Sequence, residues 1–527
     1  MVAMFSLSLQ EGSLERGYRF TFQVNNYSEA ISQYATQILR SFSYGAIATV
    51  ISLALGFPAA YAIAFRGGRY RSALLFMVIL PYFVSALLRT LSWKTILSDS
   101  GLLLGTLKDV GLLDESVRVL NTSVAVVGGL VYNYLPFTIL PLYVVLERLD
   151  VRVFEAAEDL YASRAANFFH VVLPLSLPGI LAGALLTFIP VVGDPINSAI
   201  LGSTSTTMIG NVISREFLTL TDYPTAAALS FTLMALLLAT VLVFTRWVRS
   251  EDLVVGAPVR VGKKRGPLGG GVWTGLFLSG LYLYLFAPVI VMVAYGFNDI
   301  RGEFNFAWRG FTTRWYRELF DIPQLTEAFW NSVGIAVVTT VVSTVLATPI
   351  ALALARYRFR FRQTSFLALL VPIATPTVIM GAALLSFFVT IDVSRGLITI
   401  LFAHVTLTLG FVAVTIHSRL SGLDTQLEEC AQDLGATEWS AFWTVTLPLI
   451  VPAIIAGASI AFALSIDDYV TTSFVAGRTL TLPLWIFGSS RLGVPPQANV
   501  MGTLLFVGGV SIALVSSLLR GRRQPLG

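Results

Sequence analysis

Long uncharged runs follow one another along the chain, separated by short polar breaks. They cover Ser41–Phe65, Val119–Leu146, Val171–Gly193, Tyr223–Thr245, Pro267–Asn298, Asn331–Ala355, Gln363–Ile391, Gly396–Ile416, Trp439–Ile466 and Leu492–Leu519. Ser72–Leu88 is shorter but belongs with them. A helix needs about 20 apolar residues to cross roughly 30 Å of hydrocarbon. Inside lipid only helices and closed barrels satisfy the backbone. These runs are continuous rather than alternating, so the pattern predicts an all-α polytopic membrane protein with about eleven spans, counted from the stretches above.

Composition agrees. The chain is 55% hydrophobic and only 12% charged, against about 25% charged for a soluble domain. The net charge of +5 does not point to nucleic acid, because the basic residues sit in short breaks between spans. They group as Arg66, Arg69 and Arg71; as Arg356, Arg358, Arg360 and Arg362; and as Arg520, Arg522 and Arg523, with more between Arg246 and Gly271. Positive charge beside spans marks the cytoplasmic side. Cys430 is the only cysteine, which excludes an internal disulfide and a thiolate metal cluster. His170, His404 and His417 are too scattered for a metal site, and His404, within a span, is expected to hydrogen-bond another helix. No glycine-rich loop runs into Lys-Ser/Thr, so the chain carries no phosphate cradle for ATP. No cofactor is expected.

One segment occurs twice. Leu149–Gly183 aligned with Leu423–Gly457, 274 positions later, gives 16 identities in 35 without a gap. Asp150/Asp424, Glu155/Glu429, Asp159/Asp433, Pro174/Pro448 and Pro178/Pro452 stand in register. Internal duplication of this kind is common in transporters. The expected organisation is a first half over 1–246, a basic Gly/Pro-containing linker over 247–271 and a second half over 272–527. With the basic breaks inside, both repeated segments are cytoplasmic, and 97–122, 194–222, 299–330 and 467–491 lie outside. The second half opens with a full span ending in Val291–Asp299, whereas Met1–Ile31 resembles only the end of that span and the loop after it. The expectation is that a leading helix of the first half is missing and that the true start lies upstream.

The repeated segment resembles the cytoplasmic coupling motif of permease subunits in binding-protein-dependent ABC importers: Glu-Ala-Ala, three residues, Gly-Ala, then Leu-Pro and a further Pro. The second copy supplies Glu429, Ala431, Gly435, Ala436, Leu447, Pro448 and Pro452, with Asp433 between. The first supplies Glu155, Ala156, Ala157, Asp159, Ala162, Leu173, Pro174 and Pro178, but Tyr161 stands where the family has glycine. The residue types suit the task. Small alanines let a short helix seat in a groove of another protein, carboxylates keep it soluble, and glycine ends it at positive φ. Tyr161 must accept strain there or turn differently. The plain alternative is a solvated loop with no partner, which two copies in register disfavour.

Further stretches extend the resemblance. Those from Ile79, Gly129 and Met208 look like the first permease of spermidine/putrescine importers, and those from Trp308, Ala353, Phe402 and Ala461 like the second. The resemblance implies a fusion of two permeases with the type I importer fold in the bacterial cytoplasmic (inner) membrane. It also implies a separate ABC ATPase in two copies, an extracytoplasmic solute-binding protein and a polyamine cargo. A path for polycations should offer carboxylates and aromatic faces. Asp194 and its repeat partner Asp468, with Asp467, Tyr469 and Trp485, are the candidates; the alternative is helix-end carboxylates facing water. Ferric iron, thiamine, opine or aminophosphonate cargo, an ion-coupled secondary transporter and a non-transporting scaffold are the remaining readings.

Overall fold

The computed structural model describes residues 1–13, 17–99, 101, 103–150, 152–153, 157, 159, 163–247, 271–300, 305, 308–424, 426–490 and 493–521. Among them the only strands form a small antiparallel hairpin, Gln10–Ser13 with Gly17–Phe20. The elements that matter here are α1 (Asn25–Arg66), α2 (Arg71–Ile79), α3 (Ala86–Ile96), α4 (Ser123–Arg148), α5 (Leu177–Val192), α6 (Ile196–Leu201) and α7 (Tyr223–Trp247). They continue as α8 (Val272–Tyr295), α9 (Pro323–Arg356), α10 (Arg362–Ala374), α11 (Thr377–Thr390), α12 (Leu397–Ser421) and α13 (Gln426–Asp433). The last four are α14 (Leu447–Asp467), α15 (Val470–Val475), α16 (Leu482–Ser489) and α17 (Pro496–Gly521).

Among the described residues, seven helical stretches are long and apolar enough to cross a membrane, and up to ten if each of three bent pairs is one span. The eleventh expected span, Leu492–Leu519, falls on α17. The bent pairs are not single straight helices. Gly68–Phe83 meets Ala86–Ile96 at 89°, Ala165–Leu175 meets α5 at 62°, and α10 meets α11 at 108°. Each break has a local cause. Thr375 precedes Pro376 and is pushed to extended backbone, ψ 130°, because proline disfavours the helical region for the residue before it. Pro178 has no N–H to give the Pro174 carbonyl. Pro81 opens a 3₁₀ turn, after which Val84 and Ser85 are extended.

The chain forms two compact units. One comprises Phe5–Leu319 with Ser489–Gly527, the other Phe320–Gly488 with Met1–Met4. In the first, α1, α4 and α5 meet around Thr138. A Cβ on Gly56 would lie 3.1 Å from its methyl, and one on Gly183 3.1 Å from its carbonyl oxygen. Small residues let membrane helices approach this closely. Ala59, Ala60, Ile63, Leu135, Ile139 and Leu142 fill the surrounding core. The second unit repeats the crossing: a Cβ on Gly457 of α14 would lie 3.0 Å from Val412 of α12, and both residues stand 274 positions after Gly183 and Thr138. The same offset carries α4 onto α12 to within one residue and α6 onto α15 without a shift.

The sequence halves and the compact units do not coincide. α8 and α17, both late in the chain, pack in the first unit: Gly502 of α17 lies against Leu88 and Met292, and Gly509 against Phe83. In the second unit α9 leaves Val337, Val341 and Val345 exposed, an i, i+4, i+8 stripe. Such a face suits lipid and would be a liability in water.

Candidate functional site

Both repeated segments begin with the same turn, just after the end of α4 or α12. Asp150 accepts a hydrogen bond from the Arg152 N–H and Asp424 one from the Gln426 N–H, each at 3.0 Å. In the second copy α13 follows, with no buried residue, and Leu434 after it is 90% exposed. Gly435 has φ +91°. Its N–H reaches the Gln432 carbonyl at 2.8 Å, and the Ala436 N–H reaches that of Ala431 at 3.0 Å. These two bonds make a Schellman turn, the helix ending that favours glycine. Glu429, Asp433 and Gly435 are exposed, and Ala431 and Ala436 half-buried.

Both copies re-enter in the same way. A hydroxyl caps the next helix: Ser163 Oγ accepts from Ala166 N–H and Thr437 Oγ1 from Ser440 N–H, both at 3.2 Å. A single π turn follows, Phe168–Val172 in one and Phe442–Thr446 in the other. In the first copy Asp159 is exposed and Ala157 half-buried. Glu155, Ala156, Tyr161 and Ala162 lie outside the described residues, as does most of the linker.

The segment is anchored by residues that sequence reasoning passed over. Glu428, one before the motif glutamate, accepts from Arg356 Nη2 at 2.9 Å and from Thr446 Oγ1 at 2.6 Å. It thus ties α13 to the end of α9 and to the π turn before α14. The position 274 residues earlier is Phe154, so this brace has no counterpart of the same chemistry in the first copy. Only the opposite charges of the Arg356 cluster and the Glu428–Glu429 pair hinted at it.

Asp194 and Asp468 do not face water. Asp194 is 5% exposed and its Oδ1 accepts from the Ile196 and Asn197 N–H groups, both at 2.8 Å. Its Oδ2 accepts from Tyr134 Oη at 3.0 Å and Asn197 Nδ2 at 3.1 Å. Asn133 Nδ2 extends the network to Asn197 Oδ1 and Thr90 Oγ1. The Asp468 side chain is 6% exposed and lies 3.5 Å from His404 Nε2. Its Oδ2 accepts from Thr472 N–H at 2.7 Å and Thr472 Oγ1 at 2.8 Å. Each carboxylate therefore opens a short helix, α6 or α15, by taking its free N–H groups. His404 bridges helices, with Nδ1 2.8 Å from Ser465 Oγ and Nε2 2.8 Å from Thr472 Oγ1. Asp467 is half-buried, Tyr469 packs on Phe487 with ring centroids 4.4 Å apart, and Trp485 is half-buried on α16. Asp194 belongs to one unit and the other four candidates to the second.

Duplicated helical cores of membrane-spanning length, each continued by a polar segment that leaves and re-enters through matched turns, define the class as a polytopic transport permease. The chain belongs to the family described as binding-protein-dependent transport system inner membrane component, whose profile matches residues 40–249 and 347–521. It is similar to the spermidine/putrescine transport system permease protein PotC of Escherichia coli (strain K12), 37% identical over 251 residues, 47% of this chain and 94% of that protein. It is similar also to PotB of Haemophilus influenzae, a permease of the same named system, 39% identical over 247 residues, 47% of this chain and 86% of that one. The putrescine permease PotI of Escherichia coli is 40% identical over 249 residues, 46% of this chain and 87% of its own length. The chain is thus a multi-pass inner-membrane permease of the type I ABC importer fold. ATP hydrolysis falls to a separate subunit, and the family works with an ATPase and a substrate-binding protein.

Proposed function

We propose that this chain is the fused permease of a polyamine importer, with a first half over 1–246, a linker over 247–271 and a second half over 272–527. The observation that carries the reading is that three relatives named for spermidine or putrescine transport are each 37–40% identical over nearly their whole length and just under half of this chain. One polypeptide then does the work of two permeases, and two ATPase copies dock on the segments around Glu155, Ala156, Ala157, Asp159, Tyr161 and Ala162 and around Glu429, Ala431, Asp433, Gly435 and Ala436. The exposure of α13 and its defined glycine ending support this for the second copy. ATP-driven closure of the ATPases moves the two segments and alternates access to the path. Asp194, Asp467, Asp468, Tyr469 and Trp485 serve that path, the two buried carboxylates by shaping its walls through α6 and α15.

The test is reconstitution of the chain with its ATPase and binding protein in liposomes. Labelled putrescine or spermidine accumulates with ATP, an uncoupler leaves uptake intact, and the purified complex contains two ATPases per permease. Uptake that ignores ATP and collapses with the proton gradient, or saturates with ferric iron or thiamine but not polyamine, refutes it.

A further inference from the structure

Arg89 is 2% exposed and sits one turn beyond the 89° break between Gly68–Phe83 and α3. Its guanidinium lies 4.2 Å from the Tyr82 ring centroid and 5.7 Å from that of Tyr132. The rings are held in place. The Tyr82 hydroxyl donates to the Asn133 carbonyl, and the Tyr132 hydroxyl to the Leu285 carbonyl at 3.0 Å. Trp93 and Tyr284 stand around Tyr132, with centroids 5.5 and 5.6 Å from it. Asn133 in turn belongs to the Asp194 network. Aligning Pro81 with Pro372 puts Ile373 and Met380 at the positions of Tyr82 and Arg89, so the second half has no equivalent cation or ring there. A buried ionisable group at membrane depth is costly and is kept where it serves function, and a desolvated cation over rings is the strongest form of that contact.

We propose that Tyr82 and Tyr132 form a cation-binding box whose occupant in this conformation is the chain's own Arg89, and that an ammonium group of the cargo takes the same seat when Arg89 swings out. The box stands on this geometry; the identity of the competing cation rests on the polyamine reading. Arg89 then acts as a tethered competitor that keeps the path shut to free cations until the permease rearranges.

The experiment uses the full complex carrying Arg89→Ala, with labelled methylguanidinium as the probe for the vacated seat. Arg89→Ala binds the probe about 30-fold more tightly than Arg89→Ala/Tyr82→Leu, the ratio expected of a desolvated cation–ring contact. Putrescine competes for the probe, and Arg89→Ala liposomes leak putrescine without ATP until guanidinium is added. If Arg89→Ala does not assemble, Arg89→Ser also vacates the seat while keeping a polar side chain, and gives the same pattern. Equal binding with and without Tyr82, or none, in a complex that still hydrolyses ATP overturns the box. Probe binding that putrescine leaves untouched, in a wild type that imports putrescine, overturns the competition. A wild type that imports no polyamine instead defeats the polyamine reading, and the methylguanidinium ratio still decides the box.

Discussion

Replacing Glu428 with Gln tests whether α13 is held by the brace or merely lies beside it. The amide oxygen can still accept from Thr446, so the change removes the charge pairing with Arg356 and little else. The two side chains are 16% and 26% exposed and their atoms 2.9 Å apart, which sets the pair above the 0–1 kcal/mol of fully exposed ion pairs. Hydrogen bonds to charged groups contribute about 1.5–3 kcal/mol. Taking about 2 kcal/mol, the ratio of anchored to released α13 falls about 30-fold. Cys430, the only cysteine, is exposed on the same helix and takes a spin label without further mutation. Glu428→Gln is expected to raise the mobile fraction of that label and to lower uptake per ATP hydrolysed, while the ATPase stays bound. Arg356→Met does the same, and the double variant costs no more than either single one. Additive losses, or an unchanged spectrum and coupling ratio in Glu428→Gln, refute the reasoning.

Gly435→Ala acts through backbone conformation alone, because an added Cβ meets nothing within 4 Å but φ is +91°; about 1 kcal/mol is expected to fray the end of α13 and cut uptake about five-fold, read by transport assay beside ATPase pull-down. Asp194→Asn places an amide NH₂ where Tyr134 and Asn197 both donate, or displaces the cap if it flips, at a cost of about 1–3 kcal/mol. Asp468→Asn keeps an oxygen for Thr472, so thermal melts are expected to fall further for Asp194→Asn, while both variants lose uptake before they lose assembly. Gly410→Ala brings a Cβ to 2.4 Å from the Leu369 carbonyl oxygen, whereas Gly508→Ala meets nothing; the first should lose about 1–3 kcal/mol in melts and the second remain neutral.

Much of this architecture was legible in residue order. Apolar runs gave the spans because lipid leaves the backbone no other partner, and the offset of 274 anticipated the pairing of α4 with α12 and of α6 with α15. Gly435 was readable as a helix end because few other residues tolerate its φ. The bends were not readable: Pro174, Pro178 and Pro376 could equally start a helix or kink one, and the angle depends on what each arm packs against. Ser72–Leu88 ended before Arg89 because an arginine reads as the edge of the membrane, yet rings contributed by α4 and the Pro81 turn enclose it. Asp194 reads as a water-facing terminus until the fold brings Tyr134 and Asn197 to it, and the Glu428–Arg356 pair joins positions 72 apart that only the packed helices make neighbours.

Residence of α8 among helices encoded earlier bears on how the protein is made. When the ribosome has finished residue 247, the groove formed by Leu88, Trp93 and Tyr132 still waits for the strip that carries Tyr284, Leu285 and Met292. A polypeptide severed anywhere between 247 and 271 would have to recapture that strip from a separate molecule, at a rate set by how often the two meet in the bilayer. The tether makes the encounter intramolecular, so biogenesis becomes independent of expression level.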